Sequence, residues 1–170
     1  MRSYVERAKD FIRQAFPFMS DCGTVEDFFC AMLNFNERYN RKVIVDNGAA
    51  RVALITSDYV VKVDYNEYKV HEWGGCEAEL AFYEQACSEG YGYLFAEITK
   101  YTYGGRDFYI MPRVHGIGKT FYEADEYMTA DEAEWCWDVG LRDLHNENYG
   151  WKGDKIVIID YGANEYREEY

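Results

Sequence analysis

Three side chains near the carboxyl end carry oxygens that could act together on one substrate: Asp143, Asn148 and Asp160. They stand in Leu141-Arg142-Asp143-Leu144-His145-Asn146-Glu147-Asn148 and in Ile156-Val157-Ile158-Ile159-Asp160-Tyr161-Gly162. An Asp, an Asn five residues later, and a second Asp brought by a short apolar strand onto a Gly form an arrangement that phosphoryl transfer from Mg-ATP can use. The first carboxylate can accept or orient a hydroxyl proton. The Asn oxygen and the second carboxylate are hard ligands suited to Mg²⁺, and the Gly lets the backbone turn beneath phosphates. The bland alternative is an ordinary helix, a turn and a buried strand ending in a polar residue.

The elements that must position these groups can be read along the chain. Ser3 with Glu6 makes a capping box for a helix over 3–16, with Val5, Ala8, Ile12 and Ala15 at helical spacing, Phe11 and Phe16 beside them, and Pro17 as its stop. Thr24 with Asp27 caps a second helix whose apolar face reads Val25, Phe28, Phe29, Met32 and Leu33. From Lys42 the period becomes that of strands, in Val43-Ile44-Val45, Arg51 to Thr56 and Tyr59 to Tyr65, an antiparallel meander with two tight turns. Lys62 sits inside the third of these apolar runs. Burying its ammonium costs several kcal/mol unless a carboxylate or phosphate meets it, and the other possibility is an edge strand that turns it to water.

After Gly74-Gly75 a helix follows with the stripe Cys76, Leu80, Tyr83 and Cys87. Leu94 to Ile98 reads as a strand with its turn, and Asp107 to Met111 as another strand running into Pro112-Arg113-Val114. Thr129 with Glu132 caps a last helix that continues through Trp135, Cys136, Val139 and Gly140 and delivers Asp143 at its end. The carboxylates from Glu123 to Glu134 are helix-start chemistry or an acidic docking face.

Composition limits the classes of function. With 170 residues and 48% hydrophobic residues, the chain has enough apolar material for one domain with a real core. Cys22, Cys30, Cys76, Cys87 and Cys136 show no metal-site spacing and an odd count, which fits reduced thiols. Three His without paired spacing give no zinc site. The absence of a long apolar run and the charged amino terminus lead to the expectation of a soluble, unexported, cytoplasmic protein. A net charge of −13 argues against a nucleic-acid backbone as partner. It permits a basic protein partner or a well-solvated surface.

The pattern His-Arg-Asp-x-x-x-x-Asn followed by Asp-Phe-Gly resembles Leu141-Arg142-Asp143 to Asn148 and Asp160-Tyr161-Gly162 here. The chain thus resembles the protein-kinase-like superfamily. Asp143-Leu144-His145 is similar to the aminoglycoside and choline phosphotransferases and to short kinase-like proteins of bacteriophages. The resemblance covers roughly 43–162 and implies an α+β fold. An amino-terminal helical extension (1–42) would precede a small lobe of antiparallel sheet plus one helix with its hinge (43–114), then a reduced helical second lobe (115–170).

The resemblance also implies roles. Asp143 would be the catalytic base, Asn148 and Asp160 the metal ligands, Lys62 the phosphate-contacting lysine, and Gly48 the remnant of the glycine-rich loop. Lys62 should pair with a carboxylate on the next helix. Glu77 and Glu79 both qualify, and Glu79 is preferred because Cys76 and Tyr83 would bury it. Met111 would be the gatekeeper, with Pro112 and Val114 offering carbonyl and amide to adenine. His145 would contact phosphate or brace its loop. Leu141 departs from the family's His, and eight residues after Gly162 leave no room for an activation segment or a peptide platform. The amino-terminal helices or a second copy of the chain would have to substitute.

The expected function is therefore an ATP- and Mg-dependent phosphotransferase acting on protein hydroxyls, in a host cytoplasm if phage-encoded. The alternative is a catalytically silent, pseudokinase-like or acidic binding protein that occupies a protein partner. A third possibility is Gly116-Ile117-Gly118-Lys119-Thr120 as the end of a P-loop, but position 113 is Arg where that motif needs Gly.

Overall fold

The computed structural model describes residues 2–48, 50–65, 70, 74–116, 128–141, 144 and 146–161. They form a mixed α+β structure in two units, one of Met1–Cys76 with Ile98–Arg113, the other of Glu77–Glu97 with Val114–Tyr170. Among the described residues no helix is long and apolar enough to cross a membrane.

In the first unit, α1 (Tyr4–Met19) starts where Ser3 Oγ accepts from the Glu6 N–H at 3.2 Å. The other half of the expected box is absent, because Lys9 engages the Glu6 carboxylate at 2.9 Å. The helix does not stop at Pro17, which lies inside its last turn. Proline there forfeits one intrahelical hydrogen bond. Burial of Met19 and the edge-to-face contact of Phe18 with Phe35 at 5.7 Å hold the turn nonetheless.

In α2 (Val25–Tyr39) the Thr24–Asp27 capping box is complete. Its buried face is Phe28, Ala31, Met32 and Phe35. The expected Phe29 and Leu33 are instead 43% and 66% exposed. Phe35 decides the rotation of the helix, because its ring meets both Phe11 at 5.4 Å and Phe18.

Five strands follow: β1 (Ile44–Asn47), β2 (Arg51–Ile55), β3 (Tyr59–Asp64), β4 (Thr99–Tyr103) and β5 (Arg106–Pro112). They pair antiparallel throughout in the order β1-β2-β3-β5-β4, so β3 is the central strand. β4 has no counterpart in the sequence reading. It closes on β5 through Gly104-Gly105, both at positive φ (59° and 79°), the mirror-image turn that suits a twisted hairpin. Val52, Leu54, Val61, Val63, Phe108 and Ile110 share one core with α1 and α2.

The second unit takes most of α3 (Cys76–Ser88), then α4 (Ala130–Asp138) and a three-stranded sheet of β6 (His115–Gly116), β7 (Tyr149–Lys152) and β8 (Lys155–Ile158). α3 buries Cys76, Glu79, Phe82 and Ala86, with Leu80 and Tyr83 half-buried and Cys87 exposed, so its buried face keeps Cys76 but is otherwise turned from the expected stripe. Phe82 accounts for this, packing against Phe95 at 5.5 Å and Tyr161 at 6.0 Å.

The strand expected over Leu94 to Ile98 is instead a 3₁₀ turn, Gly92–Leu94, followed by a single bridge from Phe95 to Ile158. The chain returns over α3 so closely that a Cβ on Gly92 would lie 2.5 Å from Cys87 Sγ. α4 stops short of Asp143. Gly140 adopts φ 82° and the Leu141 N–H donates to the Cys136 carbonyl at 2.9 Å, the closure that ends a helix at a left-handed residue.

Candidate functional site

Lys62 occupies the centre of the five-stranded sheet, paired in register with Ala53 on β2 and Tyr109 on β5, and is only 9% exposed. Neighbouring Val61 and Val63 enter the core beneath α1 and α2. Strand alternation therefore puts Lys62 on the sheet's other face. The edge-strand alternative does not hold, since β3 has a partner on each side.

The other residues expected around a nucleotide in this unit have mixed positions. Gly48 donates its N–H to the Arg51 carbonyl at 2.9 Å, so that donor is already committed within the β1–β2 turn. A Cβ on Gly48 would meet only Arg51 O, at 3.9 Å, and the fold has no steric need for glycine there. Met111 is buried in β5 opposite Val60, and Pro112 pairs with Tyr59. The next residue is tied to the β2–β3 turn. The Arg113 N–H donates to the Asp58 carbonyl at 3.1 Å and its guanidinium to the Thr56 carbonyl at 2.5 Å. Val114 belongs to the second unit, where it packs on Gly150 so closely that a Cβ there would lie 2.3 Å from its Cγ2.

In the second unit three of the expected polar residues converge. Asn148 ends a 3₁₀ turn, Asn146–Asn148, and is 6% exposed. Its carbonyl accepts from the Ile159 N–H at 2.8 Å, which holds it one residue from Asp160. On the other side of Asp160, the Tyr161 N–H donates to Glu79 Oε1 at 3.4 Å. Glu79 is fully buried and Glu77 exposed.

Tyr161 fixes this arrangement. Its ring lies against Phe95 at 5.0 Å and Phe82 at 6.0 Å, and its hydroxyl donates to the Ala96 carbonyl at 2.7 Å. Burial pushes its phenol far above the ordinary range, and the nearby Glu79 charge adds to the shift, so it remains a donor at any physiological pH. From sequence alone Tyr161 is a variant letter in the Asp-Phe-Gly pattern. The signal for its anchoring role is the aromatic-rich stretch Tyr91 to Phe95, whose Phe95 is one of the two rings against it.

Asp143, Arg142 and His145 lie outside the described residues, as do Gly162, Gly118-Lys119-Thr120, and Glu123, Asp125 and Glu126. Among the described residues no three His, Cys, Asp or Glu side chains group as a metal site. Asn148 and Asp160 nonetheless present the oxygen donors that Mg²⁺ accepts, on backbone held by hydrogen bonds on both sides of Asp160. Among the described residues neither sheet contains a parallel pair of strands, the pairing that a P-loop βαβ unit requires. No protein-family model matches the chain, and neither does any curated protein.

Proposed function

We propose that this protein is an ATP- and Mg-dependent phosphotransferase of protein-kinase-like type, acting on protein hydroxyls. The observation that carries the proposal is the Ile159-to-Asn148 hydrogen bond, which ties the Asn148 backbone to the residue before Asp160 at the end of an apolar strand. The buried Lys62 at the middle of an antiparallel sheet supports it, because a buried cation requires an anionic partner, a role that a carboxylate or a phosphate can fill.

On this reading Mg-ATP, when bound, supplies the phosphoryl group and the charge that draws electrons from it. Asn148 and Asp160 would hold the metal, and Lys62 would meet the α- and β-phosphates. Met111, Pro112 and Val114 would border the adenine, and Glu79 would orient the Asp160 strand end through Tyr161. Asp143 would orient the acceptor hydroxyl, positioning being the main contribution a protein makes to this chemistry.

A thermal melt of the wild-type chain and of Asp160→Asn, with and without Mg-ATP, tests the site. Ligand at about 100 times its dissociation constant adds roughly 2.7 kcal/mol, a rise of about 5 to 10 °C at this size. The rise should need the metal and vanish in the variant. An equal rise in both proteins would remove Asp160 from the site.

The net charge of −13 and the exposure of Phe29 and Leu33 on α2 favour a second reading, capture of a protein partner without turnover. Asp143→Asn separates the two. It should abolish phosphoryl transfer under the first reading and leave biological effect intact under the second.

A further inference from the structure

The first unit holds a cleft of about 580 Å³, far from Lys62 in role and lined by α1, α2, the segment after α2 and the β2–β3 turn. Its apolar floor is Phe11, Tyr59 and Val43, each 7–8% exposed, with the Phe11 and Tyr59 rings 6.0 Å apart. Arg41 and Lys42, both exposed, stand on its wall.

Among the charged groups of the cleft these two cations stand apart. The cleft also has two carboxylates, Asp10 and Asp58, but both are already matched. Asp10 takes Arg2 at 2.6 Å and Arg13 at 2.7 Å, while Asp58 takes two nitrogens of Arg7. No described side chain makes an ion pair with Arg41 or Lys42. In a chain with 31 acidic and 18 basic residues, these two cations stand adjacent at a concave wall. Their place just past α2 explains part of this, because a helix's carboxyl end favours cations. That effect does not produce an aromatic floor beside them.

We propose that this cleft binds a small aromatic phosphomonoester, with its ring on Phe11 and Tyr59 and its phosphate on Arg41 and Lys42. Two cations match a dianion better than a carboxylate, and guanidinium presents a fork that fits two phosphate oxygens. The ring adds edge or stacking contacts with the floor. The volume lies within the range of small-molecule sites and is too small for a folded partner. Tyr59 is a suitable floor residue because burial, reinforced by Asp58, pushes its phenol up to about 12 and keeps it neutral under an anion. The site is independent of the nucleotide reading.

The test is isothermal titration of the full chain, in EDTA, with phenyl phosphate, inorganic phosphate and phenol. Phenyl phosphate should bind at least tenfold more tightly than inorganic phosphate, and phenol should give no measurable heat. Arg41→Ala/Lys42→Ala should weaken phenyl phosphate at least tenfold with an unchanged melting temperature, since both side chains are exposed. Gln14→Trp, which fills the mouth from α1 and retains both cations, should abolish binding. The proposal is overturned if phenyl phosphate gives no heat at millimolar concentration, if inorganic phosphate binds equally well, or if either variant binds like wild type.

Discussion

Cys22, Cys76 and Cys136 are buried, whereas Cys30 and Cys87 are exposed, and all five are free thiols. Reactivity belongs to the thiolate, so burial and pKa act in the same direction. Loss of water pushes Cys136 from the ordinary 9.0 up to about 11, with the Glu132 charge adding to it, and pushes Cys22 up as well. At pH 8 a disulfide reagent should titrate two thiols in the native chain and five in denaturant. Because the folded pKa of Cys136 is raised, the stability it contributes is complete below pH 9.0 and is lost as pH climbs toward 11. Cys136 should therefore become reactive only across that window, as alkali opens the fold. Reaction of a third thiol at pH 8 would show that one of the buried sulfurs opens readily.

Elements were legible from the sequence where a local signal agreed with the packing. The Thr24–Asp27 and Thr129–Glu132 boxes form as read, because capping is settled within four residues. The burial of Lys62 and Glu79 was also legible, from apolar neighbours that leave a charged group nowhere else to point. Helix rotation was not. Phe29 and Leu33 have the right spacing for a buried stripe, but only the distant rings Phe11 and Phe18 select Phe35 and turn them outward. Likewise, nothing local shows that Ile159 would donate to Asn148 or that Glu79 would take the Tyr161 N–H. These bonds exist only once the chain has closed on itself.

The β4–β5 hairpin carries a prediction of its own. Gly104 has φ 59°, and a Cβ there would come within 2.1 Å of the Phe16 ring, whereas Gly105 has φ 79° and open space. Gly105→Ala meets only the backbone penalty of about 1–2 kcal/mol. Gly104→Ala also displaces a packed ring and should cost about 2–4 kcal/mol. Urea unfolding of both variants measures the difference. Equal losses would mean that Phe16 moves aside without cost.

The whole molecule has a connectivity that its elements do not reveal singly. Residues up to Cys76 and residues Ile98–Arg113 belong to one unit, while Glu77–Glu97 belong to the other. β3, the strand that bears Lys62, completes its pairing only with β5, and Phe108 and Ile110 complete the core beneath α1 and α2. During synthesis the amino-terminal half therefore emerges with one side of its central strand open. An exposed strand edge beside an incomplete core is a hazard for mispairing until its partner arrives. Nascent chains arrested with residue 97 outside the ribosome should remain open to protease within their first 76 residues, and those arrested beyond residue 113 should become resistant. The interval in which the ribosome adds those residues is the period when this protein has most need of a chaperone.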